Sequence, residues 1–177
     1  MTAWRFVADL VTHVGSALLV KAGLGTRFTP VFVVGVVLPD LAARVPAMLL
    51  TQAKQVGFPV PTTLVYGFEV LHMPAGMAAL ALLLALAWAE VDQRVRVWAE
   101  LCLGCALHQA VDLLQHHFGV GYFLGWPVWR GHFELGWIGS EDTVLVAPVA
   151  LAIGAGAWRL RRRVERAAAE DGALRPE

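Results

Sequence analysis

The sequence predicts an all-α integral membrane protein, a helical bundle with about four to five membrane-associated helices. Three observations carry this expectation. Hydrophobic residues make up 58% of the 177 residues and charged residues only 16%, against about 45–50% and about 25% in a soluble domain. Mean hydropathy is +0.61. Residues 70–89 contain no Asp, Glu, Lys or Arg, and a run of ~20 apolar residues is long enough to cross a bilayer. The apolar excess is more than a core of this size needs, and lipid is the place for the remainder. The length suits one domain, here residues 1–166, followed by a polar tail at 167–177.

Residues 4–20 read as an amphipathic or weakly hydrophobic helix that ends at Lys21 and the Gly23/Gly25 pair. This stretch contains Asp9 and His13 and no clear small-residue cleavage site follows it, so a cleavable signal peptide is not expected. Residues 28–50 are apolar but interrupted by Pro39, Asp40 and Arg44. Residues 51–69, with Lys54, Gly57, Pro59 and Pro61, read as loop. After the uncharged run comes a charged turn at 90–96. Residues 97–114 are helical by pattern, with Glu100, His108 and Asp112 as their ionisable groups. Residues 115–142 form a connection rich in Gly and aromatics, and 143–158 form another apolar span closed by a basic block at 159–166. No internal repeat and no useful strand alternation is present.

Arg159, Arg161, Arg162, Arg163 and Arg166 place the C-terminus in the cytoplasm. Counting backward puts 115–142 outside, Arg94 and Arg96 inside, 51–69 outside, and Lys21 with Arg27 inside. The first helix either crosses or lies in the interface. The formal net charge is zero, so nothing points to nucleic acid. Cys102 and Cys105 are too few and too close for a disulfide framework.

Ionisable side chains at membrane depth are costly, and they face a bundle interior or a polar cavity. His13, Asp40, His72, His108 and Asp112 come from four separate segments. His108 and Asp112 are four apart and share one helix face. Imidazole plus carboxylate is the ligand set for zinc or a related divalent ion, manganese and iron included. One carboxylate, Asp40 or Asp112, can instead serve as general base. Against this stands a plainer reading, in which a buried His or a His/Asp pair only satisfies its neighbours. Asp40, straight after Leu38-Pro39, reads either as a helix N-cap or as a ligand at a helix start.

The order of these motifs is Thr12-His13, Leu38-Pro39-Asp40, Leu71-His72, Gly104-x-x-x-His108-x-x-x-Asp112, then Trp126-Pro127. It resembles a family of bacterial inner-membrane metal-dependent hydrolases that includes the LexA-regulated YdjM-like proteins. The resemblance spans roughly residues 13–137. It implies a multi-pass protein of the bacterial inner membrane, with His13, Asp40, His72, His108 and Asp112 as metal ligands and hydrolysis as the activity. The His-x-x-x-Asp helix is also similar to one in zinc-dependent phospholipase C, which implies a phosphoester or phospholipid-like substrate. The chain departs from the family pattern at Ala42, where a second Asp is usual, in the stretch Gly67-Phe68-Glu69-Val70-Leu71, where a His-Arg pair is usual, and at Met73. These departures leave a single metal, or an inactive member, as alternatives to a two-metal site.

The segment 126–137 is dense in Trp and suits an interfacial belt. It also offers Arg130 as a phosphate contact and His132 or Glu134 as a catalytic acid or base. Cys102-Leu103-Gly104-Cys105 reads as small thiols packing in a helix, with redox or ligand chemistry as the alternative. Two other functions compete with the hydrolase. A transporter, or a proton or metal pathway, would use the same residues, with a homodimer supplying the missing half. A scaffold would use them only for packing. Ligands converging on one pocket favour the hydrolase, ligands strung along the membrane normal favour transport, and scattered pairs favour a scaffold.

Overall fold

The computed structural model describes residues 3–24, 29–116, 121–139 and 142–173. It is mostly helical. Helix α1 (Ala3–Leu24) carries Lys21 in its last turn, where a cation suits the helix dipole. A continuous helical run follows from Pro30 to Gln55. It consists of α2 (Pro30–Pro39), a π turn (Asp40–Arg44) and α3 (Val45–Gln55). Thr29 caps its start, accepting from the Val31 N–H at 3.1 Å, while Pro30 sits where no N–H is needed. Thr29 is itself held by the Glu100 carboxylate, 71 residues further along the chain.

The π turn has an identifiable cause. Pro39 lacks the N–H that Gly35 O would accept in an α-helix, and the Cys105 thiol donates to Gly35 O instead, at 3.3 Å. Pro46 likewise has no N–H to offer Ala42. Between the two prolines the bonding slips, so that the Val45 N–H reaches five residues back to Asp40 O. Asp40 has helical angles, φ −64° and ψ −45°. It therefore lies inside the Pro30–Gln55 run as the first residue of the π turn, and is not the N-cap that the sequence also suggested.

The expected loop at 51–69 is mostly helix, since α3 runs to Gln55 and α4 covers Thr62–Glu69. Only the turn around Gly57, whose φ is +95°, breaks it. The uncharged run at 70–89 is not one straight span. A 3-10 turn (Val70–His72) leads to Met73 in an extended conformation, as the residue before a proline prefers, and α5 (Pro74–Trp88) departs at 79°. Gly76 makes the bend possible, because a Cβ there would strike Val70 O.

Helix α6 (Arg94–Leu114) starts three residues earlier than the charge pattern suggested. Its last carbonyls are taken by the following connection, with Leu135 N donating to Leu113 O at 2.7 Å and Trp137 N to Leu114 O at 2.8 Å. A two-residue parallel pair, β1 (Gln115–His116) with β2 (Ile138–Gly139), and a bridge between Tyr122 and Phe133 fold that connection back onto the bundle. Helix α7 (Thr143–Ala173) carries the basic block within it and continues through residues 167–173 of the expected tail.

Helix α1 packs along α7, and α6 packs against α2 and α5. Both long pairings rest on glycine. A Cβ on Gly15 would lie 2.6 Å from Ala150 C, and one on Gly104 would lie 2.7 Å from Gly35 C. Backbones this close need small residues, as in membrane helix pairs. Among the described residues, Pro30–Gln55 and Arg94–Leu114 are long and apolar enough to cross a membrane, with a third span if the bent pair from Thr62 to Trp88 counts as one.

Candidate metal centre

Four elements deliver polar side chains to one buried point. Helix α1 contributes Asp9 and His13, the π turn Asp40 and Arg44, the 3-10 turn His72, and α6 His108 and Asp112. Three of these are acid–base pairs four residues apart, so each pair projects from one face of its helix. Asp9, His13, Asp40, His108 and Asp112 are fully buried and His72 nearly so. All five residues that the sequence named as metal ligands therefore come together.

Their spacing is compatible with ligands around an ion. His13 Nε2 lies 3.0 Å from Asp112 Oδ1, and His108 Nε2 lies 2.9 Å from His72 Nε2 and 3.3 Å from Asp112 Oδ2. His72 Nε2 lies 3.4 Å from both Asp40 Oδ1 and Asp112 Oδ2. Ligand bonds of about 2.0–2.2 Å at right or tetrahedral angles place neighbouring ligand atoms roughly 3.0–3.5 Å apart. Three overlapping groups of donors can hold a metal ion: His13/His108/Asp112, Asp40/His72/His108 and Asp9/His13/Asp40.

Hydrogen bonding supports the same fit. The Val36 carbonyl, 2.8 Å from His108 Nδ1, can only accept, so the Nδ1–H donates to it and Nε2 presents its lone pair to the centre. Both nitrogens of His13, both oxygens of Asp40 and Asp112 Oδ1 are buried without a well-formed hydrogen bond among the described residues, although His13 Nε2 faces Asp112 Oδ1 and Arg44 Nε faces Asp40 Oδ1. An unpaired buried polar group costs about 1–3 kcal/mol, and an ion at the common point would satisfy most of these at once. Charge agrees as well. Three carboxylates against one guanidinium leave two negative charges, which one divalent ion neutralises.

Asp9, Arg44, Tyr122 and Gln115 belong to the site although the sequence reading gave them no part in it. Arg44, 12% exposed, donates to Asp9 Oδ2 at 2.5 Å and to Asp112 Oδ2 at 3.1 Å, and its Nε lies 3.2 Å from Asp40 Oδ1. Gln115 Nε2 donates to Asp9 Oδ1 at 2.7 Å. The Tyr122 hydroxyl donates to Asp112 Oδ2 at 2.7 Å and accepts from Arg44 Nη2 at 2.6 Å. Burial, with the Asp112 carboxylate beside it, holds the Tyr122 phenol well above its usual range, so it remains a donor. Asp9/His13 and Asp40/Arg44 repeat the spacing of His108/Asp112, a signal that was there to be used. Nothing local marks Tyr122 or Gln115.

A cavity of about 810 Å³ opens beside the cluster, between α3, α4 and residues 121–123. Arg44, His72 and Tyr122 form its polar end, and Met48, Phe123 and Glu69 are among its other walls. His132 is exposed and meets Phe123 edge-on, with ring centres 6.3 Å apart. Glu134 pairs with His116 at 3.0 Å. Neither contributes to a metal-capable group, and Arg130 is exposed. Both cysteines are free, and neither joins a donor group.

No family model, no curated protein and no solved structure matches the chain. The resemblance to the YdjM-like proteins thus stands on the residues and their order alone.

Proposed function

We propose that the chain is a membrane-bound, metal-dependent hydrolase acting on a phosphoester or phospholipid-like substrate. The observation that carries this reading is the convergence of His13, Asp40, His72, His108 and Asp112 from four elements on one point beside a cavity. A transport path would string such groups out in a row, and a scaffold would leave few of them unpaired. Here His13, Asp40 and Asp112 keep buried atoms without partners.

Three imidazoles with carboxylates suit zinc first, with manganese or iron as alternatives. When bound, a divalent ion would supply Lewis acidity and an activated water. The chain's own residues do the rest. Asp40, whose Oδ2 has no hydrogen-bond partner among the described residues, takes a proton from the attacking water, a role assigned to it ahead of His132 and Glu134. Arg44 and Tyr122 stand where the cavity meets the cluster and orient an anionic substrate group. The apolar cavity walls around Met48 and Phe123 receive the aliphatic part of a lipid-like substrate.

In this reading Pro30–Gln55 and Arg94–Leu114 cross the bacterial inner membrane, and α1, α5 and α7 complete the membrane-associated bundle with the C-terminus in the cytoplasm. Exposed Leu83, Trp88, Leu145, Val149 and Ile153 on α5 and α7 support contact with lipid. The test is the metal content of the purified chain by elemental analysis, followed by hydrolysis of a chromogenic phosphodiester and of phospholipid vesicles. Metal and activity that are both lost in His108→Ala/Asp112→Ala support the reading. A folded wild type that takes up no divalent ion overturns it.

A further inference from the structure

We infer that Arg44 is a built-in second cation, which holds the centre to a single divalent ion. The inference rests on the metal-dependent reading above and adds the stoichiometry and the residue that sets it. The donors fall into two kinds. His13 Nδ1 and Asp40 Oδ2 have no hydrogen-bond partner among the described residues, Asp112 Oδ1 faces His13 Nε2, and His72 and His108 turn Nε2 atoms toward each other. Those five are ready for an ion. Asp9 is not, because Gln115 occupies Oδ1 and Arg44 occupies Oδ2.

The groups His13/His108/Asp112 and Asp40/His72/His108 share His108, whose Nδ1 is committed to Val36 O and whose one free nitrogen serves one ion, so a second ion would need the group Asp9/His13/Asp40. Paired catalytic ions sit about 3.5–4 Å apart and share ligands, and His13 and Asp40 are the residues common to this group and its neighbours. The guanidinium already bridges that position, with Nη1 2.5 Å from Asp9 Oδ2 and Nε 3.2 Å from Asp40 Oδ1, and Nη2 extends to Asp112. Its charge is permanent. With it in place, one divalent ion brings the three carboxylates to neutrality and a second would leave two buried positive charges, whereas without it a second ion would leave one, which a single bound anion cancels. Without it, the carboxylates outweigh one divalent ion, and Asp9 regains a free oxygen. Arg44 is a positioning residue in this role, acting through Asp9, Asp40 and Asp112.

The test loads purified full-length chain in detergent with excess Mn(II), removes unbound ion, and reads both manganese per chain and the electron paramagnetic resonance signal. Wild type is expected to take up one ion with the signal of an isolated Mn(II). Arg44→Gln is expected to take up two, with an exchange-coupled signal, whereas Arg44→Lys, which keeps a cation, stays at one. Two ions or a coupled signal in wild type overturns the inference, and that measurement decides it should Arg44→Gln fail to fold. One ion in a folded Arg44→Gln also overturns it while leaving the metal-dependent reading intact. No ion in wild type overturns both.

Discussion

His72 and His108 meet Nε2 to Nε2 at 2.9 Å, from elements 36 residues apart in the chain. His108 Nδ1 is committed to the Val36 carbonyl, so its Nε2 faces His72 as a lone pair. Two imidazoles oriented in this way either share one proton or share one ion. The unpaired oxygens of Asp40 and Asp112 around them favour the ion. Replacing either histidine by Ala is therefore expected to weaken divalent metal binding by at least ~100-fold, since outer partners alone are worth ~10–100-fold. Isothermal titration with zinc or manganese on chain stripped of metal measures this, and unchanged affinity in both variants would count against a shared ion.

The Tyr122 hydroxyl touches Asp112 and Arg44 but belongs to no donor group. Tyr122→Phe is expected to keep the metal stoichiometry and lower hydrolysis ~10–100-fold, as loss of an outer-shell partner does. Metal content and turnover measured on one preparation check this. Loss of the ion would instead make Tyr122 essential to the site's assembly.

Much of the site was legible in the sequence because its chemistry is local. His108/Asp112 follows from helical spacing, and isolated ionisable residues in apolar runs drew attention to His13, Asp40 and His72. The reading failed where one residue suggested a local role and the fold gave it a distant one. Arg44 looked like an interruption of an apolar stretch, yet its partners Asp9 and Asp112 lie 35 and 68 residues away. Pro39 looked like a helix boundary, but the helix continues through it because Cys105 serves the carbonyl that proline leaves unpaired. Tyr122 and Gln115 reach the site because residues 121–139 pack back against the end of α6, and no local period encodes that return.

Gly35 and Gly104 hold α2 against α6 at backbone contact, and this contact sets His108 beneath Val36. Gly104→Val is expected to lower stability by about 1–3 kcal/mol or more, the cost of overpacking a close contact. It is also expected to weaken metal binding, because α6 must move away from α2. Gly23→Val, at a position with open space around it, is the control and should change neither. Thermal unfolding in detergent and metal titration check both variants, and equal behaviour of the two would remove the α2/α6 contact as the frame of the site.

Pro39→Ala separates the π turn from the ligands it carries. The new N–H would pair with Gly35 O, displace the Cys105 thiol and remove one cause of the slipped turn that bears Asp40 and Arg44. Metal affinity is expected to fall at least ~10-fold, the range of a disturbed outer shell, while helix content rises or holds because alanine favours the helix more than proline does. Titration and far-ultraviolet circular dichroism measure the two effects. Unchanged affinity with the helix restored would mean that Asp40 reaches the centre without the π turn.

Chelation tests the whole assembly at once. An ion held by α1, the π turn, the 3-10 turn and α6 would cross-link four elements, and its removal would leave two uncompensated negative charges in a buried pocket. A ligand that binds only the folded state stabilises it by about 4.1 kcal/mol when free at a thousand times its Kd. Wild-type chain is therefore expected to melt at a lower temperature in excess chelator and to recover on adding zinc. His108→Ala/Asp112→Ala should melt at one temperature in both conditions, since it has no ion to lose. If the double variant responded to chelator as strongly as wild type, the stabilising ion would lie somewhere other than the His/Asp centre. If neither responded, the buried carboxylates would have to be balanced by Arg44 and protons alone.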